Sequence, residues 1–289
     1  MQVPVSLDWM TRDPAAREWR EAVPAVAAAC AERWSLTLGE PFPGSFVSLV
    51  LPASLPGGDE AVLKIQWPHP ESEHEAAALA AWDGDGAVRL LDHDAERHAL
   101  LLERCRTGVA LSTIDPQAGL EVMAGLIARL SIPAGVPFRS LADEALDWAN
   151  GLRGMWEAAG RPFEVMLIDG AVGVLLELAR APVAEPVLLH QDLHGDNVLS
   201  AERRPWLAID PKPLVGDPAF AVAPVVRSYE FGHSRREVWH RLDFLVDRFG
   251  FDPERARGWA MGQTLAWAFE GRRLLPRHLE TARWLHEGR

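Results

Sequence analysis

The chain changes texture once along its length. Between residues 46 and 103 it carries four short apolar runs, at 46–51, 61–66, 88–92 and 99–103, with one helical stretch, 71–82, between the second and third. Beyond Cys105 the runs lengthen and take helical spacing, at 116–130, 141–159 and 163–180. Short apolar runs bounded by turn residues predict strands, and apolar positions repeating every three or four residues predict helices. Strand, strand, helix, strand, strand, followed by a helix-rich remainder, predicts an α+β chain of two lobes. The first, 1–104, is a small antiparallel sheet, and the second, 105–289, is mostly helical. Leu55-Pro56-Gly57-Gly58-Asp59 reads as the hairpin between the first two strands. A helix over 13–34 opens on Asp13-Pro14, an N-cap with proline in the first turn, and Pro24 is expected to interrupt or kink it. After 180 come short strands at 187–189, 198–199 and 206–209, then helices over 218–229, 235–249, 253–272 and 276–286; Gly170 and Gly173 are expected to interrupt the helix 163–180.

Charge and composition narrow the function. Against 41 acidic residues stand 29 basic ones, and a net charge of −12 disfavours a general nucleic-acid binder. No apolar run approaches the ~18 residues of a membrane span. The first twenty residues carry acids and no apolar segment, unlike a secretory signal. Two cysteines, Cys30 and Cys105, suit a reducing compartment and cannot build a zinc cluster. The expectation is a cytoplasmic protein with neither membrane nor nucleic-acid partners. His69, His74, His93 and His98 lack metal-ligand spacing, and no Gly-x-Ser-x-Gly elbow occurs.

Only two basic residues, Lys64 and Lys212, are lysine, and only Asn150 and Asn197 are asparagine. Where arginine would serve a solvated surface equally well, a surviving lysine hints at a place that needs a compact ammonium. The densest chemistry lies in Leu188-Leu189-His190-Gln191-Asp192-Leu193-His194-Gly195-Asp196-Asn197-Val198-Leu199, followed by a strand that ends at Asp210. Phosphoryl transfer to a hydroxyl needs one carboxylate to orient the hydroxyl and take its proton. It also needs an amide oxygen and a second carboxylate to hold Mg²⁺ against the phosphates. Asp192, Asn197 and Asp210 have those chemical types, and a hairpin of two short strands would return Asp210 to Asn197. His194 and Asp196 read as ordinary loop and turn residues.

This block, with Ile209-Asp210-Pro211-Lys212-Pro213 and Gly216-Asp217-Pro218-Ala219-Phe220, resembles the catalytic segment of the aminoglycoside phosphotransferases. It is most similar to their aminoglycoside/hydroxyurea resistance branch, which includes streptomycin 6-phosphotransferases, over motif positions from about 44 to 229. The resemblance implies a bilobal protein-kinase-like fold that uses ATP and Mg²⁺. It implies Asp192 as the catalytic base in contact with the acceptor, Asn197 and Asp210 as metal ligands, and His190 as a brace for the loop. Lys64 would pair the nucleotide phosphates and Glu75 would hold that lysine, with Glu71 and Glu73 as substitutes. Backbone groups of Glu103 and Cys105 would meet the adenine edge. No Gly-x-Gly-x-x-Gly loop is present, so Ser45, in Pro43-Gly44-Ser45-Phe46, and neighbouring N–H groups would meet the phosphates. Asp210-Pro211-Lys212 stands where protein kinases have Asp-Phe-Gly, which argues against their activation switch. Ala221-Val222-Ala223 lacks an acid found in many relatives, and Asp217 reads as a helix cap.

A cationic acceptor would need carboxylates and aromatic faces. The second lobe offers Asp143, Glu144, Asp147, Glu230, Asp243 and Glu270 among Trp148, Trp156, Trp239, Trp259 and Trp267. Most of these are expected to be solvated helix faces and core. Glu230, and after it Glu270, is the choice for substrate contact. The resulting expectation is an ATP-dependent O-phosphotransferase for a small, cationic, streptomycin-type acceptor that confers antibiotic resistance. The catalytic segment is shared with kinases for amino sugars, choline-like alcohols or hydroxyurea, so it leaves these alternatives open. A silent nucleotide-binding protein is a further alternative, against which the complete set Lys64, Glu75, Asp192, Asn197 and Asp210 weighs.

Overall fold

In the computed structural model, which describes residues 2–289, the first helix, α1 (Pro14–Trp34), begins where Asp13 accepts a hydrogen bond from Ala16 N at 2.9 Å. It continues through Pro24 without a break. Val23, Ala27 and Cys30 on one face of α1 are buried against the sheet, and that packing outweighs the one backbone bond that proline removes. The strands are β1 (Thr37–Leu38), β2 (Ser48–Ser54) and β3 (Glu60–Gln66), then, after α2 (Glu75–Trp82), β4 (Leu90–Asp94) and β5 (Ala99–Glu103). Their order is β1-β2-β3-β5-β4, antiparallel throughout. Because strand side chains alternate, Leu49, Leu51, Leu63 and Ile65 pack beneath α1, while Lys64 and Gln66 project to the opposite face. α2 starts later than the acidic run suggests. Pro70–Ser72 makes a separate 3₁₀ turn, with His69 Nδ1 accepting from Glu71 N at 3.3 Å.

The chain groups into two compact units: residues up to Gly108 with Ser200–Leu207, and Val109–Leu199 with Ala208–Arg289. Sequence position would assign 200–207 to the second unit, yet Arg203 ties them to the first. Its guanidinium donates to both Glu103 oxygens at 2.8 Å and to Gly84 O at 2.7 Å.

Beyond Gly108 the chain forms α3 (Pro116–Leu130), β6 (Arg139–Ser140), α4 (Leu141–Ala158), α5 (Val165–Arg180), β7 (Val187–Leu189), β8 (Val198–Ser200), β9 (Trp206–Ala208), β10 (Leu214–Gly216), α6 (Ala223–Arg227), α7 (Arg235–Phe249), α8 (Pro253–Ala266), β11 (Phe269–Glu270), β12 (Arg273–Leu274) and α9 (Pro276–Glu287). β8 and β9 form a hairpin whose tip belongs to the first unit. α5 is continuous through Gly170 and Gly173. It packs closely on α8, where a Cβ on Gly258 would reach within 2.8 Å of Val174 and one on Gly262 within 2.6 Å of Leu175. α8 is consequently a core helix, burying Trp259, Met261, Gln263 and Thr264.

Two further expectations change, and one strand is unanticipated. Residues 218–229 are two short 3₁₀ turns around α6 rather than one helix. α8 ends at Ala266, and the chain turns back in the hairpin β11–β12, with Gly271 at φ +60° supplying a bend that a helix does not allow. β10, only three residues long, is too short for alternation to reveal. It lies between β6, to which it is parallel, and β7, to which it is antiparallel. No helix among the described residues is long and apolar enough to cross a membrane.

Candidate active site

In the first unit the projection of Lys64 from β3 meets Glu75 at the start of α2. Lys64 Nζ donates to Glu75 Oε1 at 2.8 Å and Oε2 at 2.7 Å, and Gln66 Nε2 donates to Oε2 at 2.6 Å. All three residues are buried, so two hydrogen-bonded partners compensate the carboxylate where water cannot. Glu75, rather than Glu71 or Glu73, holds the lysine. Ser45 Oγ and Ser48 Oγ are 2.7 Å apart, and Trp9 Nε1 donates to Phe46 O at 2.8 Å, steadying the Gly44–Ser45 turn from the N-terminal segment. The Glu103 N–H donates to Arg89 O at 2.9 Å. Burial alone would raise the Glu103 carboxyl, but the hydrogen bonds from Arg203 and Arg89 N bring it below its ordinary value. The Cys105 thiol is pushed up to about 12 by burial and by Glu103, so it is no nucleophile at neutral pH.

In the second unit, β7 delivers the chain into the loop 190–197 and three bonds lock that loop to the segment after β9. His190 Nε2 lies 3.0 Å from Ile209 O, Lys212 N donates to His190 O at 3.0 Å, and Ile209 N donates to Asn197 O at 2.9 Å. His190 is thus the brace that the sequence suggests, and burial pushes its ring down to about 4, keeping it neutral. The hairpin returns Ile209, the residue before Asp210, to the Asn197 carbonyl. Gln191 and Asp210 both adopt left-handed backbone, at φ +64° and +56°, conformations that need support from outside the loop. Gln263, fully buried in α8, supplies it for Gln191 by donating to its carbonyl at 2.9 Å.

Asp192 is held at both oxygens. Arg227 Nη2 donates to Oδ1 at 2.6 Å and Lys212 Nζ sits 3.1 Å from Oδ2, with His194 Nε2 at 3.9 Å. Burial would raise this carboxyl, yet Lys212, Arg227 and His194 outweigh it and hold it well below the usual carboxylate range. Trp267 packs against both cations, its ring 4.5 Å from Lys212 Nζ and 4.2 Å from Arg227 Cζ. Asn197 Nδ2 donates to Asp192 O at 2.9 Å, which directs its amide oxygen to another partner. No three His, Cys, Asp or Glu side chains among the described residues form a metal cluster. One amide oxygen and one carboxylate, from Asn197 and Asp210, nevertheless suit Mg²⁺, a hard cation that takes few protein ligands and completes its shell with water and phosphate.

A sequence profile described as aminoglycoside/hydroxyurea antibiotic resistance kinase matches residues 33–272. The chain belongs to that family. It is 43% identical over 258 residues to a hydroxyurea phosphotransferase of Kitasatospora aureofaciens, covering 87% of this chain and 74% of the relative. It is 38% identical over 256 residues to a streptomycin 6-kinase of Streptomyces griseus, covering 86% and 83%. Among solved structures, an aminoglycoside phosphotransferase in ternary complex with ADP and hygromycin B superposes with a TM-score of 0.62 at 15% identity, over 90% of this chain and 95% of that one. A choline kinase from Streptococcus pneumoniae superposes with a TM-score of 0.63 at 11% identity, over 91% and 100%. At such identities these two establish the protein-kinase-like α+β fold.

Within this resistance kinase the acids expected around the acceptor are mostly engaged. Glu144 and Asp147 pair with Arg139, and Asp243 with Arg289. Asp217, read from the sequence as a cap, does cap the turn at Pro218 by accepting from Ala219 N at 3.0 Å, while also accepting from Trp259 Nε1 at 2.6 Å. Glu230 turns inward: its Oε1 accepts from Gly195 N at 2.6 Å and lies 3.8 Å from His194 Nδ1. Glu270 is exposed on β11 rather than on a helix, 3.4 Å from Arg273. Asp196 accepts from Ser112 Oγ. Trp148, Trp156 and Trp259 are core. Arg227, Gln263 and Arg203 escaped sequence reasoning, because an arginine or glutamine among many carries no pattern until the fold surrounds it. Lys212 alone had a signal, its rarity.

Proposed function

We propose that this kinase transfers the γ-phosphate of ATP to a hydroxyl of a small cationic acceptor of the streptomycin type, in the cytoplasm, through the loop 190–197. The observation that carries the reading is the convergence of Asp192, Asn197 and the Asp210 segment in one hydrogen-bonded frame. Asp192 receives the acceptor hydroxyl. Because Lys212 and Arg227 hold its charge, it stays ionised at every working pH and acts mainly by orienting the hydroxyl, with the proton moving to it late. Lys64, positioned by Glu75, steadies the nucleotide phosphates; Ser45 and nearby N–H groups cover them; the Glu103 carbonyl and the Cys105 backbone take the adenine edge. Asn197 and Asp210 would hold Mg²⁺, which supplies charge neutralisation at the phosphates. Positioning and fixed charge supply most of the rate.

A second reading, a smaller uncharged acceptor such as hydroxyurea, is favoured by one observation: Lys212, Arg227 and His194 surround Asp192, while Glu230 already serves Gly195. Incubation with ATP, Mg²⁺ and a panel containing streptomycin, other aminoglycosides, choline, amino sugars and hydroxyurea, read by ADP release and product mass, separates them. Phosphorylated streptomycin supports the first reading. Transfer to hydroxyurea alone supports the second, and no transfer with any member refutes both.

A further inference from the structure

The segment made of α6 and the turn that follows it touches the catalytic loop twice. Arg227 reaches Asp192 at 2.6 Å, and three residues on Glu230 accepts from Gly195 N at 2.6 Å. Gly195 is pressed from both sides, since a Cβ there would lie 3.0 Å from Glu230 Cγ and 3.0 Å from Ser112 Cα. The segment itself is too short to hold its shape, being a five-residue helix followed by a three-residue 3₁₀ turn. Its shape comes from Arg241 on α7, a residue 2% exposed. That guanidinium donates to Val226 O at 3.2 and 2.9 Å, to Phe231 O at 3.1 Å and to Gly232 O at 2.8 Å, carbonyls that bracket Arg227 and Glu230 on both sides. Its charge faces Glu230 and Glu237. A guanidinium taken out of water is costly unless its donors are matched, and here the planar fork matches three carbonyls that a lysine or an aliphatic chain does not.

We propose that residues 226–232 form a strap, anchored by Arg241, that holds the catalytic loop in register for transfer: Arg227 fixes the Asp192 carboxylate and Glu230 fixes the Gly195 end. The inference rests on the reading of Asp192 as the acceptor-orienting carboxylate. Arg227, Glu230 and Arg241 are then positioning residues, and Glu230 works through the loop rather than on the acceptor's charge. A positioning defect lowers kcat and kcat/KM together, whereas loss of a binding contact raises KM.

The test compares Glu230→Gln, which keeps an oxygen for Gly195 N–H, with Glu230→Leu, which does not, and adds Arg241→Lys as a variant elsewhere in the strap. In Glu230→Leu and Arg241→Lys, kcat falls about tenfold or more with the acceptor KM within about twofold, and Glu230→Gln recovers most of the loss. Amide hydrogen exchange of peptides covering 190–197 rises in Glu230→Leu and Arg241→Lys, while peptides from β2 and β3 are unchanged. A raised acceptor KM at unaltered kcat, equal in Gln and Leu variants, would make Glu230 an acceptor contact and overturn the strap. So would unchanged exchange of the loop. Should the unaltered enzyme phosphorylate nothing in the panel, the functional reading fails alone, and the exchange comparison still decides the strap.

Discussion

Replacing Glu75 by alanine tests the first unit most directly. The change leaves the Lys64 ammonium, 7% exposed along its side chain, without the carboxylate that takes two of its hydrogen bonds, and removes the acceptor of Gln66 Nε2. Removing one partner of a buried ion pair costs about 3–5 kcal/mol, because the other charge stays buried and uncompensated. For a chain of this size each kcal/mol shifts Tm by roughly 2–4 °C, so Glu75→Ala melts on the order of 10 °C lower. In Lys64→Met/Glu75→Leu no buried charge is left, and two packed apolar chains of similar volume restore most of the stability. Nucleotide affinity follows a different course: both variants lose it, since one lacks the lysine's orientation and the other the lysine. Thermal unfolding by circular dichroism and ATP titration by calorimetry measure the two quantities in parallel, and Lys64→Met closes the cycle. A Glu75→Ala protein within about 1 kcal/mol of the parent, or a double variant no more stable than that single one, would show that the pair is not the buried, coupled unit described. Full ATP affinity in the double variant would refute the role of Lys64.

Asp192→Ala abolishes transfer while ATP still binds, and Asp210→Ala weakens nucleotide binding in the presence of Mg²⁺ but not in its absence; calorimetry with and without the metal separates the two variants. His190 and His278 are both pushed down from 6.5 to about 4 by burial, with the Arg227 charge adding to the effect at His278. The unfolded chain therefore binds more protons than the folded one between these values. Their contribution to stability is complete above about pH 6.5 and is lost as pH falls toward 4, at about 1.4 kcal/mol per pH unit for each ring. A Tm that stays flat from pH 7 to 4.5 would contradict this. Arg203→Ala removes the two-pronged contact to Glu103 and the bond to Gly84 O. Loss of hydrogen bonds to a charged group costs about 1.5–3 kcal/mol, readable in the denaturation midpoint; an unchanged midpoint would mean that the 200–207 tip contributes nothing to the first unit's stability.

Much was legible because it is local. The short apolar run 61–66 marks β3, the rarity of lysine marks Lys64 within it, and the spacing from Asp192 to Asn197 to Asp210 survives in any chain that keeps the loop and hairpin. Asp13 and Asp217 announce themselves as caps because a cap needs only the next three residues. β7, β8 and β9 are short but marked by apolar residues beside turns, whereas β6, β10 and β11–β12 leave no such mark, since each exists only by virtue of its neighbour, and Glu270 reads as helical for that reason.

The amino-acid order alone determines which side chains the loop 190–197 and its returning hairpin bring together, because those residues are bonded or nearly bonded neighbours. It does not determine what surrounds them. That Asp192 lies between Lys212 and Arg227, that Gln263 supports a left-handed Gln191, and that Glu230 faces Gly195 instead of solvent follow from helices tens of residues away packing against the loop. Burial and the neighbourhood of charge are properties of a three-dimensional enclosure, and these set the ionisation of the Asp192 carboxylate.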